Sequence, residues 1–365
     1  MNTLYVLHEH GAPRHFEAIT YLNNEKKLYD RVIHLEFAVI HQFVKGIVKR
    51  KPKLLFKSLY NVMHLLFFLF SRDKKIVIGA APFDIFVYYL LALKKRHDII
   101  YYSSWPYWDG SFHPRKILIK HQQKMWREFL DNTKVVAVTS AVKDGLVSFT
   151  DQVTVIPHCI NPDIFHSHNR KEDNFRVIYV GRILEQKGIK LILELIQEIK
   201  MDIDWWFVGE GDEELKKQIR KLEAGQDNVK YFGSIKDQNK LAELYRSSQI
   251  LLLPSYKTKG WEELFGIVII EAMASGVIPI STNAIGPNTI ITDSLNGYLI
   301  EQGDKKAIKE RILKLYRDRD YSNKMSAEAG VTVERNYTIA STAKLWEEVL
   351  NSSELENDKK AVSTN

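Results

Sequence analysis

Cysteine is nearly absent from this sequence: Cys159 is the only one among 365 residues. A single thiol cannot form an intrachain disulfide, which excludes a disulfide-stapled scaffold and favours a reducing compartment. Long hydrophobic runs are also lacking, because the longest, Asn61–Phe70, falls short of the roughly 20 apolar residues that a spanning helix needs. The first residues do not have the pattern of a signal peptide. We therefore predict a cytoplasmic protein without a transmembrane segment.

Acidic residues are scarce in one part of the chain. Between His41 and Lys75 there are nine lysines and arginines but one acid, Asp73, and the whole basic excess behind the net charge of +7 lies within residues 1–165. Apolar residues are interleaved with these cations. This composition suits a peripheral helix on the anionic inner face of a membrane, and an ordinary amphipathic helix with a solvated basic face is an equal alternative. No recognition module accompanies the cations, so nucleic acid is disfavoured as a partner.

Short apolar runs alternate with amphipathic segments along the chain, six runs in each half. Such alternation is typical of parallel strands joined by crossover helices, so we predict an α/β fold with two doubly wound sheets. The polar, turn-rich stretch 157–175 is the best linker candidate. The predicted domains are 1–165 and 166–335, followed by a helix over 336–350 that packs back toward the N-terminal domain. The polar tail 351–365 is predicted to be disordered.

The first chemical motif is YVGRILEQKG at 179–188. A predicted strand ends at Gly181, Arg182 follows at its carboxyl end, and Lys187 precedes the next helix. Ligands bind beyond the carboxyl ends of parallel strands, and two cations there can clamp a diphosphate leaving group. Arginine and lysine beside a turn are common on protein surfaces, so a purely solvated role stays open.

The second motif is EELFGIVIIEAMASG at 262–276. Gly266 opens a predicted helix, so the backbone N–H groups of Phe265, Gly266 and Ile267 form a candidate anion site. Glu263 precedes this helix, and Glu271 follows it by eight residues, at most about 12 Å along a helix. Glu271 stands in an otherwise apolar run, and a buried carboxylate requires a partner.

These motifs together resemble the family-four retaining glycosyltransferases. The glutamate pair of that family is matched by Glu263 and Glu271, and its glycine-arginine and lysine-glycine element by Gly181-Arg182 and Lys187-Gly188. The segments 207–219, 231–255 and 281–304 follow the family pattern in order and spacing. The resemblance is strong over Val177–Asp304 and implies two facing Rossmann-like domains with a cleft between them.

The resemblance also implies roles for the donor-side residues. Arg182 and Lys187 would hold the donor phosphates, Glu263 would meet the sugar, Glu271 the ribose, and the backbone of Gly233–Ile235 the base. The substrate would be a nucleotide sugar such as a UDP- or GDP-sugar. With paired cations for the diphosphate and no Asp-x-Asp pair in a strand-end loop, we expect neither a metal nor another cofactor.

The first half matches the family more loosely. Gly11 lies where the family has a glycine-rich loop, but Ala12 replaces the usual second glycine. Ser104 and Trp105 occupy the positions where the family often has a histidine near the reacting centre. His113 is the nearest alternative, and an ordinary loop histidine is the competing interpretation.

We therefore expect a retaining glycosyltransferase that moves a sugar from a nucleoside diphosphate to an acceptor hydroxyl. The acceptor would be a glycan or lipid-linked intermediate in bacterial cell-surface polysaccharide or glycolipid synthesis. Two alternatives remain: a nucleotide-sugar epimerase or hydrolase on the same fold, and a non-catalytic partner subunit.

Overall fold

The computed structural model of the protein describes residues 2–9, 13–48, 50–112, 120–168 and 174–362. The chain divides into two compact units. The first comprises Met1–His158 together with Ala340–Asn365, and the second comprises Cys159–Ile339. The boundary therefore falls at 158/159, a few residues before the predicted one at 165/166.

The first unit is built on a parallel six-stranded sheet in the order β2-β1-β3-β4-β5-β6. Its strands are β1 Thr3–His8, β2 Arg31–Glu36, β3 Lys75–Gly79, β4 Asp98–Ser103, β5 Lys134–Ala137 and β6 Val153–Val155. Its helices are α1 Glu17–Lys26, α2 Val39–Val48, α3 Pro52–Phe70, α4 Val87–Lys94, α5 Lys120–Leu130 and α6 Ser140–Leu146. Central strands such as Leu4–Leu7 are buried on both faces, which explains their continuous apolar runs.

The second unit repeats this plan with a parallel sheet in the order β12-β11-β10-β7-β8-β9. Its strands are β7 Arg176–Val180, β8 Asp204–Val208, β9 Val229–Tyr231, β10 Ile250–Leu253, β11 Ile278–Thr282 and β12 Tyr298–Ile300. Its helices are α7 Ile189–Glu198, α8 Glu213–Gly225, α9 Gln238–Arg246, α10 Ile267–Ala274, α11 Ile285–Ile290, α12 Lys305–Arg317 and α13 Arg319–Asn336. The predicted α/β class with two Rossmann-like sheets is confirmed.

The C-terminal helix α14, Ile339–Val362, packs on the first unit. Trp346 is buried and its ring lies 6.4 Å from that of Phe16. Glu347 forms an ion pair with Lys26 of α1, with 2.6 Å between Oε1 and Nζ. The helix extends to Val362 and so includes residues 351–362. The polar composition of this segment predicts disorder.

Helix α3 is longer than its apolar run suggests. It begins at Pro52, and proline is well suited to the first turn of a helix. Within the described part of the chain, α3 alone is long and apolar enough to cross a membrane by length and composition, with a mean hydropathy of 1.3. Only 17% of that apolar window is buried. The apolar run Asn61–Phe70, on which the expectation was based, is therefore shorter than the helix that contains it.

Candidate functional site

The candidate donor site lies where the strand order of the second unit reverses, between β7 and β10. In open α/β sheets, ligands bind beyond the carboxyl ends of the strands at such a switch point. Gly181 and Arg182 directly follow β7, and Lys187 ends a 3-10 turn over Glu185–Lys187. The side chain of Arg182 is exposed to solvent, whereas Lys187 is largely buried.

The turn that carries Lys187 lies against the end of β10. Gly188 has a φ of +76°, and a Cβ there would lie 2.0 Å from the carbonyl oxygen of Pro254. Only glycine fits this position, because any side chain would displace the turn or the strand end. The lysine-glycine element therefore places Lys187 beside the carboxyl end of the central strands.

Two side chains of one loop hold the Lys187 ammonium. Its Nζ lies 2.5 Å from Oε2 of Glu263 and 4.3 Å from the centroid of the Trp261 ring. The carboxylate balances the charge, and the aromatic face adds a cation–π contact. Sequence reasoning selected Lys187 and Glu263 but missed Trp261, which matches no motif and is recognised only by this contact.

The loop that carries Glu263 is anchored on both sides. The neighbouring Glu262 is buried, accepts a hydrogen bond from the Ile285 N–H (3.1 Å) and pairs with Lys257 (2.9 Å). The Gly286 N–H donates to the Glu263 carbonyl (2.9 Å). Two consecutive glutamates thus have different tasks: Glu262 fixes the loop, and Glu263 points toward Lys187.

Gly266 forms the N-cap of α10 with a φ of +90°. A Cβ there would lie 2.9 Å from Ile269 and 3.8 Å from Cγ of Glu263. The helix start and the Glu263 side chain are therefore neighbours. Phe265 is buried and Ile267 partly exposed on either side of this glycine.

Tyr179 is a further residue of the site that sequence reasoning did not single out. Its hydroxyl donates to the carbonyl of Arg182 at 2.6 Å. Burial raises the pKa of this phenol above its ordinary value, and the nearby Glu263 carboxylate raises the pKa further. Tyr179 therefore connects the end of β7 with the neighbourhood of Glu263.

Three glycines at the carboxyl ends of β7, β8 and β9 bring their backbones together. The Gly181 N–H donates to the Val208 carbonyl (3.0 Å), and the Gly209 N–H donates to the Gly233 carbonyl (2.8 Å). A Cβ on Gly209 would lie 1.8 Å from the Gly181 carbonyl oxygen, so this approach requires glycine. Gly233 has a φ of +64°, and Ile235 follows it with a partly exposed side chain.

Glu271 is fully buried in α10. Its Oε2 accepts a hydrogen bond from the Tyr245 hydroxyl at 3.3 Å. This is the partner that a carboxylate in an apolar run requires. The hydroxyl comes from α9, so the pairing joins two helices of the second unit.

The structure thus brings Gly181, Arg182, Lys187 and Glu263 to one region of the second unit, with Gly266 beside Glu263. Gly11 and His113, the candidates from the first half, lie outside the described residues. Among the residues that the structure describes, no group of three or more His, Cys, Asp or Glu side chains is arranged to hold a metal ion.

The first unit has a cavity of about 190 Å³ at its own switch point, between β1 and β3. Ser104 and Trp105, which replace the expected histidine, line this cavity. His8 and Glu9, at the end of β1, line it too. Sequence reasoning passed over these two because no motif marks them, although their place after the first strand was a usable signal.

His8 of this cavity belongs to a cluster of histidines. The rings of His15 and His158 are 4.4 Å apart, and the rings of His8 and His15 are 5.7 Å apart. Burial, reinforced by Arg14, lowers the pKa of His15 to about 4. Burial and the neighbouring His15 likewise hold the pKa of His158 well below its usual value. Both imidazoles are therefore neutral in the folded protein at pH 7.

These pKa values predict an acid-sensitive first unit. An unfolded histidine has a pKa of about 6.5 and binds a proton below it, whereas folded His15 does not until about pH 4. Stability is therefore full above pH 6.5 and is lost as the pH falls. Between pH 7 and pH 5 we expect His15 to account for about 2 kcal/mol.

Urea unfolding at several pH values, followed by tryptophan fluorescence, measures this loss. His15→Gln should flatten the pH dependence, whereas His121→Gln, at an exposed position, should leave it unchanged. An equal pH slope in wild type and His15→Gln would contradict the assignment.

Comparison with known proteins agrees with this fold. The profile of the family described as glycosyl transferases, group 1, matches residues 161–357. A capsular polysaccharide biosynthesis glycosyltransferase of Staphylococcus aureus is 30% identical over 50% of this chain and 46% of its own length. A phosphatidyl-myo-inositol mannosyltransferase of Mycobacterium leprae is 29% identical over 44% of this chain and 42% of its own length. The chain thus spans about half the length of these curated relatives.

Among solved structures, the Anabaena protein Alr3699/HepE in complex with UDP has a TM-score of 0.70 and 16% identity, over 96% of this chain and all of that one. This likeness shows the fold, which has two Rossmann-like units. The chain belongs to the group 1 glycosyl transferases.

Proposed function

We propose that the protein is a retaining glycosyltransferase. It moves a sugar from a nucleoside diphosphate sugar to an acceptor hydroxyl, in the synthesis of a bacterial cell-surface polysaccharide or glycolipid. The observation that carries the proposal is the Lys187–Glu263 pair at the switch point of the second unit. Arg182 lies near it, just after the end of β7. Cations for a diphosphate and a carboxylate for sugar hydroxyls are what such a donor needs.

The residues divide the work as follows. Arg182 and Lys187 offset the negative charge that develops on the departing diphosphate. Glu263 accepts hydrogen bonds from the donor sugar, Glu271 from the ribose, and the backbone over Gly233–Ile235 contacts the base. The bond between the anomeric carbon and the phosphate oxygen breaks, and the acceptor oxygen bonds to the same face. The departing phosphate takes the proton of the acceptor hydroxyl, so no further base is required.

The comparisons support this proposal through the activities that the relatives' names state. One relative acts in capsular polysaccharide biosynthesis, and another is a mannosyltransferase for phosphatidyl-myo-inositol. The structural neighbour from Anabaena is a complex with UDP, which supports a nucleotide-linked donor.

A panel of sugar nucleotides tests the function directly. Release of nucleoside diphosphate should depend on an added acceptor, and proton NMR of the product should show the anomeric configuration of the donor. Release without an acceptor would identify a hydrolase, and conversion of the donor sugar without release would identify an epimerase. No turnover of any sugar nucleotide would point to a non-catalytic subunit.

Trp261 is expected to act as a positioning residue for Lys187. The Trp261 ring and the Glu263 carboxylate both contact the Lys187 ammonium. Loss of the ring removes one of these two contacts and leaves Lys187 less restrained. Cation–π contacts contribute about 0.5–2 kcal/mol, so Trp261→Ala should raise the donor KM by about 2- to 30-fold. Trp261→Phe should recover most of the loss.

Steady-state kinetics with varied donor separates this role from a structural one. Lys259→Ala, at an exposed position of the same loop, is the matched control and should behave as wild type. If Trp261→Phe were as impaired as Trp261→Ala, the aromatic face would not be the property that matters.

A further inference from the structure

We propose that the helical hairpin α2–α3 lies in the plane of an anionic lipid bilayer, with its outer apolar face inserted at the headgroup boundary. The inference goes beyond the proposed function and does not depend on the donor site. It rests on three observations: a continuous exposed apolar surface, a rigid attachment of the hairpin to the first unit, and a charge pattern of one sign.

The exposed apolar surface is concentrated in this hairpin. Eleven of the sixteen exposed large hydrophobic residues in the described part of the chain belong to it. On α3 they recur every three or four residues and form one stripe: Phe56, Leu59, Tyr60, Met63, Leu66, Phe67 and Phe70. On α2 they are Phe43, Val44, Ile47 and Val48.

The stripe on α3 spans about 21 Å at 1.5 Å per residue. Its terminal members are among the most exposed, with Phe56 at 73% and Phe70 at 83%. A contiguous apolar surface of this size is unusual on a protein that stays in water and marks a binding surface. Its shape is that of a helix that lies on a membrane.

The two helices of the hairpin are packed closely. A Cβ on Gly46 would lie 2.7 Å from the Leu55 side chain, so the glycine allows the backbones to approach. The Ser58 hydroxyl donates to the carbonyl of Val39 at 2.9 Å. The exposed side chains of α2 and α3 therefore belong to one preformed unit.

The opposite face of α3 is fixed to the first unit. Phe68 is fully buried, and the Tyr89 hydroxyl donates to the carbonyl of Leu65 at 2.7 Å. The ring Nε2 of His97 lies 2.8 Å from the carbonyl of Phe68. A helix held in this way cannot cross a bilayer without breaking these contacts. An in-plane orientation keeps them and still removes the outer stripe from water.

The charges around the apolar stripe indicate which partner covers it. The chain has no acidic residue between Glu36 and Asp73, while exposed cations stand at both ends of the stripe: Arg50, Lys51 and Lys53 before it and Arg72 after it. Anionic headgroups would neutralise these cations. A second copy of the chain related by a twofold axis would instead place cations opposite cations. The pattern therefore favours lipid.

Vesicle co-sedimentation of the full chain tests the proposal, with phosphatidylcholine vesicles that contain or lack phosphatidylglycerol. We expect binding to the anionic vesicles that weakens at high ionic strength. Arg50→Gln/Lys51→Gln/Lys53→Gln should lower the partition coefficient by on the order of 100-fold, since each cation near such a surface is worth about fivefold.

The apolar contribution is tested by Phe56→Gln/Met63→Gln/Phe70→Gln. All three side chains point to solvent, so the fold should be retained, and we expect at least about tenfold weaker binding. Matched controls remove the same kinds of residue elsewhere. They are Lys217→Gln/Lys306→Gln/Lys324→Gln for charge and Val147→Gln/Leu295→Gln/Val331→Gln for apolar surface, all at exposed positions.

A fluorophore on Met63→Cys should shift its emission to the blue on anionic vesicles, whereas one on Val147→Cys should not. Cys159 is buried, so labelling can be directed to the new thiol. The proposal is overturned if wild type does not bind anionic vesicles at low salt, or if either hairpin variant binds as well as wild type. A vesicle-independent dimer in ultracentrifugation, abolished by the apolar variant, would identify a second copy as the occupant instead.

Discussion

Replacing Lys187 with alanine is expected to lower kcat/KM for the sugar-nucleotide donor by about 30- to 1,000-fold. Loss of one charge-stabilising donor in an active site costs about 2–4 kcal/mol of transition-state stabilisation. Lys187 is the restrained cation of the site, held by Glu263 and Trp261, so solvent or a neighbouring side chain cannot easily replace it. Arg182→Ala should have an effect of the same order.

The matched control is Lys190→Ala. Lys190 lies three residues further along, is exposed and pairs with Glu185, so its loss should leave kcat/KM within about twofold. The double variant Arg182→Ala/Lys187→Ala gives the strictest test. Wild-type turnover in that variant, with an unchanged thermal unfolding curve, would show that the diphosphate is bound elsewhere.

The second large effect is expected from the two glutamates, and it differs in kind between them. Glu271→Gln should weaken binding of the free nucleoside diphosphate by at least about tenfold, because it removes a charged acceptor for the ribose hydroxyls. Glu263→Gln should lower turnover with the intact donor by about 100-fold, because its carboxylate would bind the donor sugar, which the free nucleoside diphosphate lacks.

Glu263→Gln should not weaken binding of the free nucleoside diphosphate. Its carboxylate now neutralises Lys187 at 2.5 Å, so its removal leaves that ammonium available to the diphosphate. Calorimetry with the free diphosphate and kinetics with the intact donor measure the two effects separately. Glu243→Gln, exposed on α9, is the control. Equal loss of diphosphate affinity in both glutamate variants would contradict this division of roles.

The strands were predictable because their signal is local. All twelve apolar runs correspond to strands. The central strands are buried on both faces, so their apolar signal is continuous, whereas the edge strands β2 and β9 also carry exposed polar residues. The extent of α3 was less predictable. The apolar run begins at Asn61, whereas the helix already begins at Pro52. Its first turns carry Lys53 and Lys57 on the surface, and these lysines do not interrupt the backbone hydrogen bonding of the helix.

The candidate site was predictable where a residue type is required by a backbone position. Gly188 and Gly209 stand where a Cβ would meet a carbonyl oxygen, so the motif glycines are dictated by close approach. Trp261 and Tyr179 could not be found in this way. Trp261 contributes through a contact with Lys187, which is distant in sequence, and no spacing along the chain records that contact. Tyr179 contributes through a hydrogen bond to a backbone carbonyl three residues away, which depends on how the chain turns after β7.

The sequence by itself determined the α/β class, the order of the strands along the chain, and the cation and carboxylate pairs of the second unit. Only the tertiary structure decided that Lys187 and Glu263, 76 residues apart, form an ion pair. It also decided that one face of α3 packs on the first unit while its apolar stripe is exposed. Hydrophobic periodicity reports which residues prefer to leave water. Which of them have a protein surface to pack against depends on how the elements are arranged in space.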